Sequence, residues 1–120
     1  MKLPPQNIEA EQGLLAACLL SDPAEILDIL VPEDFYRPAH TKIFMAISNL
    51  YKKKEPVDLM TLNTELKVMG CSEETGGATY LSKLLDCPVA SSSVLYAKIV
   101  KAAAVGRRII EISSKTAQSI

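Results

Sequence analysis

The chain has 120 residues, 48% hydrophobic and 22% charged, with a formal net charge of −1. That length suits one domain around one hydrophobic core, and the composition is globular, not disordered. A domain that holds nucleic acid mainly through phosphates carries a basic excess or a basic face, so near-neutrality argues against strong DNA binding by this chain alone.

Pro4-Pro5 keeps the start extended, and Asn7 is placed to cap a first helix with Glu9 and Glu11 in its opening turn. Ile8, Leu14, Leu15, Cys18 and Leu19 form its apolar stripe. Asp22-Pro23-Ala24-Glu25 restarts the chain as an N-cap, a proline at the first helical position and a possible capping box. The short helix that follows buries Ile26, Leu27 and Leu30 and ends at Pro32. Pro32 to Pro38 reads as a loop whose Phe35-Tyr36 pair folds inward.

A clear helix is predicted from Pro38 to about Lys53, with Ile43, Phe44, Ile47, Leu50 and Tyr51 as its core face. Lys52-Lys53-Lys54 closes it, where cations favour a helix C-terminus. Pro56 breaks the chain, Asp58 caps a helix facing inward through Leu59, Leu62, Leu66 and Met69, and Gly70 stops it. Gly76-Gly77 turns the chain into a short helix carrying Tyr80, Leu81, Leu84 and Leu85, ended by Pro88. No alternating strand pattern bounded by hairpin turns occurs, so the expected fold is all-α: a compact globule of five or six helices followed by a long C-terminal helix.

Ser91-Ser92-Ser93 offers caps for that last helix. Run from Val94 to Ile120 it would measure roughly 40 Å, against a radius of gyration of about 13–14 Å for a compact domain of this size. Leu95, Ile99 and Ala102 are expected to pack on the body, leaving Ile109, Ile110 and Ile112 beyond it. Burying such side chains is worth about 1.5–3 kcal/mol each, so this half of the helix is expected to pack on a partner. The domain division read from this is 1–92 as a helical globule and 93–120 as an arm.

Cys18, Cys71 and Cys87 are odd in number, make no C-x-x-C pair and are accompanied by one histidine, His40. Neither a disulfide framework nor a zinc site is expected, and a reducing, cytoplasmic setting fits best. The N-terminus has no apolar signal core, and no apolar run approaches the roughly 20 residues needed to cross a bilayer.

The order of motifs resembles the N-terminal domain of DnaB-type replicative helicases over essentially the whole chain. Pro4-Pro5-Gln6-Asn7-Ile8-Glu9-Ala10-Glu11-Gln12 is similar to the family's opening, and the segment from Pro32 to His40 with Ile43-Phe44 is similar to its P-E-D-F-Y-R-P-A-H-x-x-I-F stretch. Glu55 to Leu59, Glu74 to Leu81 and Tyr96 to Val100 match further elements, and Arg107-Arg108 fits the basic pair that follows. Cys71-Ser72 and Ser91-Ser92-Ser93 depart from the family pattern in expected loops.

The resemblance implies a collar-forming module, in which the last helix is the first arm of a hairpin that pairs between subunits of a hexamer. It implies recruitment of the C-terminal domain of primase, with a helicase loader as a further possible partner. ATP and magnesium would belong to a motor domain outside this chain. The five glycines, at 13, 70, 76, 77 and 106, never fall in the G-x-x-x-x-G-K-[ST] spacing of a phosphate loop. The alternative is a free-standing adaptor or inhibitor of a helicase or primase with the same fold.

No catalytic, cofactor or metal residue is assigned. His40 near Glu33 and Asp34 reads as structural, Lys52-Lys53-Lys54 as a solvated cap, and Arg107-Arg108 as a surface face or inter-subunit ion pairs. Phe35, Tyr36 and Phe44 are expected in the core. Tyr80, Ile110 and Thr116 are the candidates for a partner surface, and Ile99, Ile109 and Ile112 for self-association.

Overall fold

The computed structural model describes residues 6–88 and 92–118, with the backbone alone for 113–118. Among these residues are six α-helices, one 3₁₀ turn and no strand. The helices are α1 (Ile8–Leu20), α2 (Ala24–Ile29), α3 (Pro38–Lys52), α4 (Leu59–Val68), α5 (Gly77–Asp86) and α6 (Ser93–Gln118), and the 3₁₀ turn is Pro32–Asp34. No helix among them is long and apolar enough to cross a membrane.

Local chemistry sets most of the boundaries. Asn7 Oδ1 accepts the Ala10 N–H at 3.0 Å and starts α1. Asp22 Oδ1 accepts the Ala24 N–H at the head of α2. Pro38 opens α3, where its missing N–H costs nothing. At α4 the exchange is reciprocal: Asp58 Oδ1 accepts the Thr61 N–H at 2.8 Å, and Thr61 Oγ1 accepts the Asp58 N–H at 2.9 Å. Gly70, at φ +76°, takes the left-handed position just past α4, where a side chain would be strained.

α1 is the central helix, packed against α3, α5 and α6. Its burial runs all round and not along one stripe, and includes Ala10, Glu11, Gly13, Leu14, Leu15, Ala16, Ala17 and Cys18. Small residues on several sides let three neighbours approach closely, which the expected single stripe did not convey. α3 buries Ile43, Phe44, Ile47 and Leu50 as predicted, with His40 and Ala46 beside them. Tyr51 is exposed instead, one step round from Leu50. In α4, Leu62 and Leu66 are sealed, while Leu59 and Met69 pack at the margin. Phe35 is buried and meets Phe44 at 4.8 Å between ring centroids. Tyr36 is only half-buried, and the Arg107 guanidinium covers its ring at 5.3 Å from the centroid.

α6 has 26 residues, about 39 Å of helix. The Cα radius of gyration is 15.0 Å and the long extent 50 Å, more drawn out than the ~14 Å expected of a compact chain of this size. The first half of α6 packs on α1, α2 and the 3₁₀ turn. The rest projects.

Candidate interaction surface

α6 carries two apolar stripes on opposite sides. Ala97, Val100 and Ala104 are buried, and with Lys101 and Arg108 they fall within about 100° of helical arc at 100° per residue. On the opposite arc stand Leu95, Ile99, Ala102, Ile109 and Ile110. Leu95 is 55% exposed, Ile99 37%, Ile109 59% and Ile110 52%. Ala102 is exposed as well, Val105 lies beside the ridge and is 42% exposed, and Ile112, 64% exposed, falls closer to the packed arc.

The expectation that Leu95, Ile99 and Ala102 face the body is therefore overturned. The body is faced by smaller side chains, because α1 and α6 lie close and a leucine ridge would hold them apart. Ile99 sits at the rim of a cleft of about 510 Å³ formed with Asn7, Ala10, Tyr96 and Cys87.

The arm is held by charge near the point where it leaves the globule. Asp34 is fully buried, and its carboxylate accepts the Val31 N–H at 2.9 Å, Lys101 Nζ at 3.0 Å and Arg108 Nη2 at 2.6 Å. Its backbone carbonyl accepts Arg107 Nη2 at 2.7 Å. Burial alone would push this carboxyl up, but those hydrogen bonds and the charge of Lys101 outweigh it and hold the group below the usual aspartate range. Arg107 and Arg108 thus bind within the chain, a role that their reading as a surface face or inter-subunit pairs did not include. The sequence offered a sign of this: Ala97, Lys101, Ala104 and Arg108 recur at helical spacing on one face, and alanines at such spacing mark close packing.

Behind the same loop lies a second buried carboxylate. Glu11 Oε2 accepts the Tyr36 N–H at 2.7 Å, and Oε1 accepts the Arg37 N–H at 3.4 Å and lies 2.8 Å from His40 Nδ1. A carboxylate only accepts, so the proton between Nδ1 and Glu11 is carried on Nδ1. Nε2 shares a hydrogen bond of 2.6 Å with the Tyr80 hydroxyl, which also accepts Arg37 Nη1 at 3.3 Å. The partner of His40 is Glu11, 29 positions away, and not the adjacent Glu33 or Asp34.

Tyr80 is half-buried and its hydroxyl is spent on this network, while its ring lines a shallow depression with Arg37, Pro38, Ala39 and Gly76. Gly76 has φ +88°, and a Cβ there would meet Tyr80 Cβ at 2.7 Å. Glycine is what lets Tyr80 approach the turn.

Of the residues named from sequence, Ile99, Ile109 and Ile110 share the outward side of α6, Ile112 is exposed but lies round toward the packed side, and Tyr80 stands apart on α5. Thr116 lies in α6, but its side chain is outside the described residues. From sequence, Glu11 is only a first-turn acid of α1 and Asp34 only a loop carboxylate near His40. Among the described residues no group of three or more His, Cys, Asp or Glu is placed to hold a metal ion.

Comparison with known proteins fits this architecture. The DnaB-like helicase N terminal domain family matches residues 3–102. The chain is 47% identical over 121 residues to the replicative DNA helicase DnaB of Geobacillus stearothermophilus, and 43% identical over 120 residues to the replicative DNA helicase DnaC of Bacillus subtilis (strain 168). In both cases 98% of this chain aligns with 26% of the relative, so it spans about a quarter of their length. The crystal structure of the N-terminal domain of DnaB helicase from Mycobacterium tuberculosis superposes with a TM-score of 0.92 at 41% identity, covering 97% of this chain and 85% of that one. The chain belongs to the DnaB-like helicase N-terminal domain family.

Proposed function

We propose that this domain organises a replicative helicase ring, pairing subunits through the outer ridge of α6 and recruiting primase to the assembled collar. The observation that carries the reading is the ridge itself: Leu95, Ile99, Ile109 and Ile110 stand outward on a helix whose other face is already packed. Burying them would return about 1.5–3 kcal/mol per side chain, and pairing with a second copy or a hairpin arm does so.

Ile99, Ile109 and Ile112 are the proposed self-association residues. Ile110, Thr116 and Tyr80 are proposed to face primase, with a loader as a further partner. The domain contributes geometry, and ATP with magnesium would be handled by a motor domain in a longer protein of the kind its relatives represent. In a ring, neighbouring copies raise each other's effective concentration, so contacts that are weak singly become sufficient.

Light scattering on a size column, across a concentration series with and without the C-terminal domain of the cognate primase, tests this. Self-association or a mixed complex is expected, and Ile109→Asp should abolish it. A monomer indifferent to primase at about 50 µM, where a contact of roughly 6 kcal/mol is half-populated, would sink the reading.

A further inference from the structure

The buried face of α6 is smooth. Ala97, Val100 and Ala104 bring the helix close to α1 and α2, but small side chains interlock weakly and leave the helix free to slide or roll. Ala104 is the last buried apolar residue of α6 among those whose burial is described. One turn later Arg107 and Arg108 make hydrogen bonds to the body, and residues 109–112 are exposed. Where the arm leaves the globule it is therefore held by polar contacts: Arg107 lies over the Tyr36 ring, and both arginines hydrogen-bond to one residue, Asp34.

That residue is suited to fixing direction. The Asp34 carboxylate takes Lys101 on one oxygen and Arg108 on the other. The two cations stand seven positions apart, about two turns, so together they set both the rotation of α6 about its axis and its position along it. A buried ion pair adds little net stability but discriminates strongly between geometries, since any other register leaves a buried charge unpaired. The platform is itself rigid: Val31 N–H caps the same carboxylate, and Glu11 holds the far end of the loop through the Tyr36 and Arg37 N–H groups.

We propose that Asp34 is the positioning residue that fixes the direction in which α6 leaves the globule, and with it the orientation of the apolar ridge. Its consequence for assembly rests on the ridge being the working surface. The geometry itself belongs to a single chain and is tested there.

The experiment is pulsed electron–electron resonance on the chain in a Cys87→Ser background. One pair of labels reports on the arm (Met60→Cys with Ile110→Cys) and one on the packed half of α6 (Met60→Cys with Lys98→Cys). Labelled protein is diluted in excess unlabelled protein, so that only distances within one chain are read. Lys101→Met with Arg108→Gln should at least double the width of the arm distribution and leave the packed pair unchanged. Asp34→Asn, which keeps a cap for Val31 but removes the charge, should do the same. If Asp34→Asn fails to fold, the cation variant decides. An arm distribution unchanged by loss of both cations would overturn the proposal. So would equal broadening of both pairs, because Asp34 would then be holding the fold and not the arm. Neither result depends on whether the ridge binds anything.

Discussion

His40 Nδ1 lies 2.8 Å from Glu11 Oε1 with both side chains sealed from solvent, and the bond joins α3 to the central helix. Through Nε2 the same imidazole reaches the Tyr80 hydroxyl on α5. One ring thus ties three helices together. Glu11 simultaneously satisfies two N–H groups of the loop that carries Asp34, so the interior and the grip on α6 share a support.

Removing that support should be costly. Glu11→Ala leaves two loop N–H groups and an imidazole N–H without their acceptor, and a loss of about 3–5 kcal/mol is expected in urea denaturation. Glu11→Gln keeps one acceptor oxygen and should cost about half as much. A loss below about 1 kcal/mol for the alanine variant would mean that water reaches these groups.

Close packing between α1 and α6 makes Ala97 intolerant of size. Ala97→Leu should destabilise the domain by about 1–3 kcal/mol through overpacking. Ile109→Asp, on the opposite side, should change stability by no more than about 0.5 kcal/mol. Thermal melts of the two variants compare them directly, and equal effects would show that the faces had been assigned the wrong way round.

The Asp34 carboxyl is held below its ordinary value in the folded chain. A depressed folded value means that the carboxylate contributes stability above the unfolded value of about 3.9 and loses that contribution as pH falls through the folded value. The stability difference between the wild-type sequence and Asp34→Asn should therefore be full at pH 6 and shrink below about pH 4. Urea midpoints measured at several pH values check this. A difference independent of pH would assign the effect to shape and not to charge.

The three thiols should separate by reactivity. Burial pushes the Cys18 thiol up to about 12 and also raises Cys71, whereas Cys87 is only half-buried. A disulfide reagent at about pH 8 should react quickly with Cys87 alone, the one thiol of the three that solvent reaches. Cys18 should respond only as fast as the domain opens. Rapid labelling of Cys18 in native protein would contradict its place in the core.

Much of the fold was legible in the sequence because the relevant rules act over a few residues. The Asp58–Thr61 exchange, the left-handed Gly70 and the proline opening α3 are local, and each stands where capping and turn preferences put it. The inward faces of α3 and α4 followed from apolar spacing except at Tyr51, as did the fate of Ile109, Ile110 and Ile112 at the exposed end of α6. The resemblance carried by the motif order gave the family.

The tertiary structure decided which of two apolar stripes on α6 faces the body, and where the buried charges go. Sequence favours the bulkier stripe of Leu95 and Ile99, since it has more surface to remove from water. The fold buries Ala97, Val100 and Ala104 because α1 and α6 must lie close, and that distance is set by every helix around them. Glu11 and Asp34 look like surface acids until their partners arrive, from 25 to 29 positions away for Glu11 and from 67 to 74 for the cations at Asp34. A carboxylate is stable in the core only when donors surround it, and which donors those are is fixed by the packing of the whole chain.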